Sequence, residues 1–281
     1  MTSLQEAGYA PPRTLELQHE RLALLAALLD PGTFRLLEAL DVRPGMRCLE
    51  VGAGHGSVAA WLCQRVAPGG SVLATGLDIT APGELLHSNL QVREHDPLSE
   101  PLGEREFDLV HARLLLAGLR DPRAGIRWML AALKPGGTLL VEEMDFVSVV
   151  PDPGLDADTQ RLFARVTQAH NTILAHSDTL DPHYGRTLVG ELSAAGLVRT
   201  GCEGRMSIWQ GGTAGGRLWQ LTLLQLRDAL IASGLLTAEE VGTALELYGN
   251  ARLRFVSQIT MAAWGHRPHL ARLAVSVLAR A

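Results

Sequence analysis

Basic blocks, cysteine pairs and long apolar runs are all missing from this 281-residue chain. Its net charge is −5 and Lys134 is the single lysine, so nucleic acid is not expected among its partners. The longest apolar runs, such as 22–29, are far too short to span a membrane, and residues 1–10 lack the charged and then apolar pattern of a signal peptide. We therefore expect a cytoplasmic protein without membrane or nucleic-acid partners.

Metal-ligand patterns are missing as well. Three cysteines have neither Cys-x-x-Cys nor zinc spacing and are expected to be small buried apolar side chains in a reducing cytosol: Cys48, Cys63 and Cys202. Three histidines are also candidates for metal ligands: His170, His176 and His183. They are six and seven residues apart, whereas the histidine pairs that bind zinc on a helix are closer in sequence. No metal site is predicted.

Apolar residues, by contrast, make up 47% of the chain, and arginine and alanine are common where lysine is rare. A chain of this length and composition can bury a substantial core, as one large domain or as a domain with an insertion. The arginine and alanine content indicates GC-rich bacterial coding.

A glycine-rich segment at 50–56, Glu-Val-Gly-Ala-Gly-His-Gly, follows an apolar stretch and precedes a predicted helix. Glycines allow a sharp turn and a close approach of the backbone to a ligand. The dinucleotide fingerprint requires Gly-x-Gly-x-x-Gly, whereas the third glycine here, Gly56, comes one residue early and Ser57 takes its place. This spacing disfavours an NAD-dependent oxidoreductase. The Glu50 carboxylate would be a poor neighbour for a pyrophosphate but a good one for an ammonium group, as in S-adenosylmethionine.

Residues 46–145 resemble the class I S-adenosylmethionine-dependent methyltransferases. The first motif of that family is matched by four residues: Glu50, Gly52, Gly54 and Gly56. The resemblance implies S-adenosylmethionine as the methyl donor and S-adenosylhomocysteine as the product, with Ala53 of the same loop also at the cofactor.

Repeated strand and helix units predict an α/β fold with a parallel sheet covered on both faces. The resemblance implies a Rossmann-like seven-stranded, mostly parallel sheet with an antiparallel terminal hairpin, N-terminal helices and a helical cap or insertion. The predicted parts of the chain are an N-terminal lid at 1–40, a cofactor-binding core at 41–150, and substrate-cap helices with the last two strands at 151–281, which complete the same domain.

The N-terminal and C-terminal parts carry their own local signals. Residues 14–40 are expected to be helical, as one or two helices, because Asp-Pro-Gly at 30–32 interrupts their pattern of leucines. A turn is expected at 134–137. The last two strands are predicted at 199–210 and 254–264, which makes 211–253 a helical insertion. A capping box, Thr-Ala-Glu-Glu at 237–240, is expected to begin one of its helices.

The ribose end of the cofactor site departs from the family pattern. The family places a carboxylate at the end of the second strand, and that position here is Gly76. Asp78, with Ile79 beside it, is the predicted replacement. The alternative is that the contact is lost, which would weaken cofactor binding about ten- to a hundredfold.

The segment after the third strand is expected at the adenine. Asp96 matches the family position that accepts the adenine amino hydrogen, and His95 and Pro97 flank it. An ordinary Asp-Pro turn is the alternative interpretation.

The fourth strand is predicted near 107–112, and residues 107–113 match a further family motif, which implies that His111, Ala112 and Arg113 lie at the cofactor. His111 is also the leading candidate for a general base, because a histidine at a strand end can take a proton from a hydroxyl or amine. A structural histidine is the alternative. Many members of the family carry a histidine where this chain has Gly118, so no base can be transferred from that position.

Acidic residues at the end of the fifth strand are candidates for binding a substrate amine: Glu142, Glu143 and Asp145. The alternatives are a divalent metal, which is less favoured because the metal-binding arrangement of the catechol methyltransferases is absent, and a solvated acidic turn. A later loop is a candidate for substrate contact, with a capped turn as the alternative: His183, Tyr184 and Arg186.

The resemblance implies methyl transfer to an oxygen or nitrogen, less readily to a carbon, of a small molecule in bacterial secondary metabolism. Two alternatives stay open: an enzyme of the same fold that catalyses a cyclisation or elimination without methyl transfer, and a non-catalytic cofactor-binding protein. The leucine-rich helices at 14–40 and 217–248 are candidate faces for a homodimer.

Overall fold

A computed structural model describes residues 15–76, 87–95, 103–176 and 180–269 of the chain. These residues form two compact units. We call the described parts of 32–143, 186–203 and 261–281 the sheet unit, and those of 1–31, 144–185 and 204–260 the helical unit.

The strands in chain order are β1 Arg47–Val51, β2 Ser71–Gly76, β3 Leu90–Glu94, β4 Phe107–Arg113, β5 Leu133–Asp145, β6 Val150–Pro151, β7 Val198–Arg205, β8 Ile208–Gln210, β9 Arg254–Val256 and β10 Ile259–His266. The helices are α1 Leu15–Ala39, α2 Ser57–Val66, α3 Pro122–Ala132, α4 Ala157–His176, α5 Leu188–Ala194, α6 Ala214–Ala232 and α7 Ala238–Gly249.

Seven strands form one sheet in the order β3-β2-β1-β4-β5-β10-β7. The first five positions pair in parallel, and the last pair is antiparallel. Because β1 lies at the centre, with β2 on one side and β4 on the other, the carboxyl end of β1 is the switch point where such sheets bind ligands. The predicted fold class is confirmed.

The core of the sheet unit forms where α2 packs on β1 and β2. The apolar residues of α2 recur at helical spacing and are buried: Val58, Ala59, Leu62, Cys63 and Val66. Cys48 and Cys63 are buried in this core as free thiols, whereas Cys202 is only half-buried.

The helical unit contains α4, α6 and α7 together with a small antiparallel sheet in the order β6-β9-β8. Its aromatic residues pack on one another; the rings of Trp219 and Tyr248, for example, stack 5.5 Å apart. The predicted capping box is present: Thr237 accepts a hydrogen bond from the Glu240 amide, and Glu240 accepts one from the Thr237 amide. The predicted insertion at 211–253 contains α6 and α7.

The two long strands predicted near the C-terminus were wrong in their extent. Each is interrupted, so that β7 and β10 belong to the large sheet while β8 and β9 pair in the small one. The segment between β7 and β8 is hydrogen-bonded to the segment between β9 and β10. The Ser257 amide donates to the Ser207 carbonyl at 2.9 Å, and the Ser207 amide donates to the Ser257 hydroxyl at 3.0 Å.

The region 14–40, expected as one or two helices, contains the single helix α1. Helix α1 continues through Pro31, which removes a single backbone donor, because Leu29, Thr33, Leu36 and Leu37 are all buried along it. Residues 134–137, expected as a turn before the fifth strand, lie within β5 as an irregularity: the pairing with β4 jumps from Leu133 to Thr138, and Gly136 has a φ of 82°. The Gly136 amide donates to the Arg267 carbonyl at 2.8 Å. Among the described residues, no helix combines the length and the apolar content needed to cross a membrane.

Candidate active site

The glycine-rich loop connects β1 to α2. Its three glycines have positive φ angles of 72°, 51° and 84°, a region that side chains rarely adopt: Gly52, Gly54 and Gly56. The amides of Gly52 and Ala53 both donate to the Thr75 carbonyl, at 2.7 and 2.9 Å. A Cβ atom at Gly52 would lie 3.2 Å from the side chain of Leu115. The loop is thus tightly turned, and a side chain at Gly52 would require Leu115 to shift.

Glu50 and His111 are neighbours in the sheet, in register on β1 and β4. Both are buried, and His111 Nδ1 lies 2.6 Å from Glu50 Oε2. On the other side of the ring, His111 Nε2 lies 3.5 Å from Glu142 Oε2. Burial lowers the pKa of His111, but the charges of Glu50 and Glu142 and the hydrogen bonds to them outweigh it and raise the pKa to about 9. The two carboxylates thus favour the imidazolium form of His111.

Two more polar residues extend this contact. The Thr33 hydroxyl donates to Glu142 Oε2 at 2.5 Å, and the Arg113 guanidinium donates to the Thr33 hydroxyl at 3.0 Å. We call the five residues Glu50, His111, Glu142, Thr33 and Arg113 the buried polar network. Sequence reasoning missed Thr33, because the preceding Asp-Pro-Gly indicated the end of a helix.

The ribose and adenine positions are described in part. Gly76 ends β2, and its carbonyl accepts a hydrogen bond from the amide of His95 at 3.0 Å. The buried ring of His95 stacks on Trp128 at 4.9 Å. Four predicted cofactor residues lie outside the described part of the chain: Asp78, Ile79, Asp96 and Pro97.

The loop after β4 is held by the end of β5. Buried Glu143 accepts hydrogen bonds from the amides of Leu116 and Ala117, at 2.6 and 3.3 Å, and the Leu114 amide donates to the Glu142 carbonyl at 2.8 Å. Burial raises the pKa of Glu143 to about 7, although the backbone donors oppose the shift. Ala112 precedes this loop and is buried, in register with Val51.

Asp145 ends β5 and belongs to the helical unit. Its buried carboxylate lies 3.3 Å from Nδ1 of His183, and its Oδ1 atom accepts the amide of Val147 at 3.0 Å. The side chain of His183 is 43% exposed. The Phe146 amide donates to the Pro182 carbonyl at 3.0 Å, which fixes the His183 loop to the end of the strand.

The other loop residues predicted at the substrate differ in exposure. Tyr184 is buried, whereas Arg186 is exposed. The structure thus brings Glu50, His111 and Glu142 together in the sheet unit, and Asp145 and His183 together in the helical unit. The acidic cluster predicted at the end of β5 separates into three carboxylates with three different sets of partners. Within the described ranges, no group of three or more histidine, cysteine or acidic side chains is arranged to hold a metal.

A family model described as a methyltransferase domain matches residues 17–197. The match covers more than half of the chain, so the chain belongs to this family. The resemblance to S-adenosylmethionine-dependent methyltransferases is thereby confirmed.

Individual relatives are distant. The chain is 28% identical over 166 residues to methyltransferase str2 of Strobilurus tenacellus, which is 57% of this chain and 56% of that protein. It is 31% identical over 134 residues to nocamycin O-methyltransferase of Saccharothrix syringae, 44% of this chain and 45% of that protein. Other relatives are named C-methyltransferases of ubiquinone and menaquinone biosynthesis. The chain thus spans about half the length of the first two relatives.

A solved structure shares the fold. The YcgJ protein from Bacillus subtilis superimposes with a TM-score of 0.54 at 15% identity, covering 89% of this chain and 99% of that one. At this level of identity the likeness concerns the fold alone.

Proposed function

We propose that this protein transfers a methyl group from S-adenosylmethionine to a hydroxyl group of a small molecule. The observation that carries the acceptor side is the contact between Asp145 and His183, a buried carboxylate against a half-exposed imidazole at the carboxyl end of β5. Doubly wound sheets bind their ligands at these strand ends. A base is needed where the attacking atom carries a proton, and a positioned histidine can remove the proton of a hydroxyl acceptor.

The cofactor end fits the residues that are present. The tight turn at Gly52 lets the backbone approach a ligand, and Glu50 supplies a buried carboxylate at the switch point of the sheet. When bound, S-adenosylmethionine supplies a methyl group already activated by its sulfonium. Glu50 would accept the ammonium group. The loop of Gly52, Ala53, Gly54 and Gly56 would line the methionine end with backbone, beside Ala112.

The acceptor end would need a proton to be removed. If Nδ1 of His183 carries its hydrogen toward Asp145, Nε2 is left as the acceptor of the hydroxyl proton. Asp145 would hold this tautomer and stabilise the imidazolium that forms, as in other histidine–carboxylate pairs. The main contributions of the protein are then alignment of the acceptor and exclusion of water.

The remaining site predictions belong to the same proposal. We infer that Asp78, with Ile79, takes the ribose contact that Gly76 cannot make, and that Asp96, with His95 and Pro97, lies at the adenine. Tyr184 and Arg186 are proposed near the acceptor. His111, the candidate base of the sequence, is buried between Glu50 and Glu142 and is not proposed as the base.

The experiment is an assay for S-adenosylhomocysteine formed from S-adenosylmethionine and a panel of small acceptors: phenols, enols, aliphatic alcohols, amines and activated carbon acids. We expect turnover with a hydroxyl acceptor. His183→Gln should lower kcat about a hundredfold or more with little change in the binding of S-adenosylhomocysteine, and Asp145→Asn should lower it by a smaller factor.

His176→Gln is the matched control, because His176 is exposed at the end of α4 and should be dispensable. Turnover with amines or carbon acids alone would overturn the hydroxyl assignment. Conversion of an acceptor without S-adenosylhomocysteine would point to a cyclisation or elimination instead.

The setting is proposed on the sequence alone. We infer a cytoplasmic bacterial enzyme of secondary metabolism whose partner is a small molecule, with the leucine-rich helices at 14–40 and 217–248 as a homodimer face. Light scattering of the purified protein tests the dimer, because a monomeric mass at assay concentration would reject it.

A further inference from the structure

His111 has a carboxylate oxygen on each side of its ring. Glu50 lies 2.6 Å from Nδ1 and Glu142 lies 3.5 Å from Nε2. A neutral imidazole has one donor and one acceptor nitrogen, so one of the two carboxylates would then face a lone pair. Only the doubly protonated ring offers a hydrogen to both. The two carboxylate charges therefore favour the imidazolium, in agreement with the raised pKa of this histidine.

The network continues on α1 and β4. Thr33 donates its hydroxyl hydrogen to the same oxygen of Glu142 that faces His111, and Arg113 donates to Thr33. The charged groups around the ring are thus Glu50 on β1, Glu142 on β5 and, through Thr33, Arg113 on its own strand β4. Two negative and two positive charges balance within the buried polar network.

We propose that His111 is a positioning residue, whose imidazolium holds the Glu50 carboxylate ionised and oriented for the ammonium group of the cofactor, with Thr33 fixing the network from α1. This role rests on the proposed function, because it requires the cofactor to bind at Glu50. His111 engages Oε2 of Glu50, and the other oxygen is the atom that we expect to accept the ammonium group.

The imidazolium matters because two carboxylates meet at one buried ring. If His111 were neutral, Glu50 and Glu142 would repel each other in a medium of low dielectric, and one of them would take up a proton. A protonated or rotated Glu50 is a poor partner for a cation. Loss of the His111 proton should therefore weaken cofactor binding without any contact between His111 and the reacting atoms.

Calorimetric titration of the full chain with S-adenosylhomocysteine tests this role. At pH 7.5, His111→Gln should bind about tenfold or more weakly, because its amide reaches the Nε2 position and not Nδ1. His111→Asn, which keeps an N–H near the Nδ1 position, should bind less weakly than His111→Gln. Thr33→Val should lower the affinity for S-adenosylhomocysteine a few-fold. Thr138→Val is the matched control, because Thr138 is a buried threonine on β5 whose partner is His266.

The pH profile separates positioning from a general loss of structure. The affinity of the wild type should fall more steeply between pH 8 and pH 10 than that of His111→Asn, whose profile reports the titration of the ligand's own amino group. Imidazole NMR of the labelled protein should find His111 doubly protonated at pH 7.5, and this readout needs neither ligand nor variant.

The outcomes are distinct. Wild-type affinity in His111→Gln and Thr33→Val, with binding lost in Glu50→Ala, would overturn the positioning role and leave the cofactor site intact. A neutral His111 ring at pH 7.5 would overturn it as well. Absence of S-adenosylhomocysteine binding by the folded wild type would overturn both this role and the proposed function.

Discussion

The carboxylate of Glu143 holds the backbone of Leu116 by a hydrogen bond of 2.6 Å. A side chain from the end of β5 thereby fixes the turn that follows β4, and this turn lies against the glycine-rich loop through Leu115 and Gly52. Sequence reasoning grouped Glu143 with substrate-binding carboxylates. Its contacts instead support a role in positioning the loop, because the turn contributes three backbone donors, from Leu115, Leu116 and Ala117, to this buried acid.

The buried Glu143 makes stability depend on pH. Because its folded pKa of about 7 lies above the ordinary value of 4.5, the stabilisation is fully present below pH 4.5 and is lost as the pH rises through 7. The shift corresponds to about 3 kcal/mol. We expect the unfolding free energy of the wild type to fall between pH 5 and pH 8 by about this amount relative to Glu143→Gln, measured by urea unfolding at each pH.

Glu191→Gln serves as the control for this measurement, since Glu191 pairs with exposed Arg123 at the surface of the sheet unit. Parallel pH dependence in the wild type and Glu143→Gln would show that Glu143 is ionised throughout this range.

Gly52 and Gly118 should respond in opposite ways to alanine. Gly52 has a φ of 72° and a new Cβ would crowd Leu115, whereas a Cβ at Gly118 would meet nothing within 4 Å. We expect Gly52→Ala to destabilise by about 1–2 kcal/mol and to weaken S-adenosylhomocysteine binding. Gly118→Ala should be neutral or stabilising by up to about 1 kcal/mol. Thermal unfolding and calorimetry measure both effects, and equal results for the two variants would contradict the strain argument.

Local patterns predicted the parts of the fold that depend on neighbouring residues. The glycine-rich turn between β1 and α2 and the capping box at Thr237 follow from spacing along the chain. The interruptions that send β8 and β9 into a second sheet depend on pairing between distant segments, as in the bonds between Ser207 and Ser257. No local signal specifies such pairing.

The candidate site was predictable to the same degree. Glu50 and His111 could each be singled out from their motifs, but their contact follows from the register of β1 on β4, which the sequence does not specify. The same holds for Glu142, which the register places beside Arg113. The sequence placed His111 at the end of a strand, where an accessible side chain is expected. The two carboxylates that bury it, Glu50 and Glu142, come from other strands, so the sequence around His111 does not reveal them.

His170 should make the protein sensitive to acid. Its buried ring packs between Phe146 and Trp219, at 4.8 and 4.9 Å. Burial lowers its pKa to about 4, so its stabilisation is present above the ordinary value of 6.5 and is lost as the pH falls through 4. We expect the wild type to lose about 3 kcal/mol more than His170→Phe between pH 7 and pH 4, measured by urea unfolding.

The matched control for His170 is His176→Phe, on the same helix but exposed, which should keep the wild-type acid dependence. Acid dependence that is unchanged in His170→Phe would mean that the buried ring is not the titrating group.

Arg267 should contribute more to the free energy of unfolding than an ordinary partly exposed arginine does. One nitrogen of its guanidinium donates to the carbonyls of Leu130, Ala131 and Leu133, at 3.0, 2.8 and 2.6 Å, where α3 ends and β5 begins. These carbonyls lie at the negative end of the helix dipole, where a cation is favourable. The Leu130 carbonyl also accepts the Leu133 amide and the Ala131 carbonyl accepts the Arg105 amide, so the guanidinium adds a charged donor to groups that are partly satisfied by the backbone.

We expect Arg267→Met to lower the unfolding free energy by about 2 kcal/mol, and Arg267→Lys to recover part of the loss because an ammonium keeps the charge but not the fork. Arg252→Met, at an exposed position in the helical unit, is the control and should change stability by less than about 0.5 kcal/mol. Urea midpoints at constant m-value measure all three variants. A loss in Arg267→Met no larger than that in Arg252→Met would mean that the three carbonyls are equally well satisfied by water.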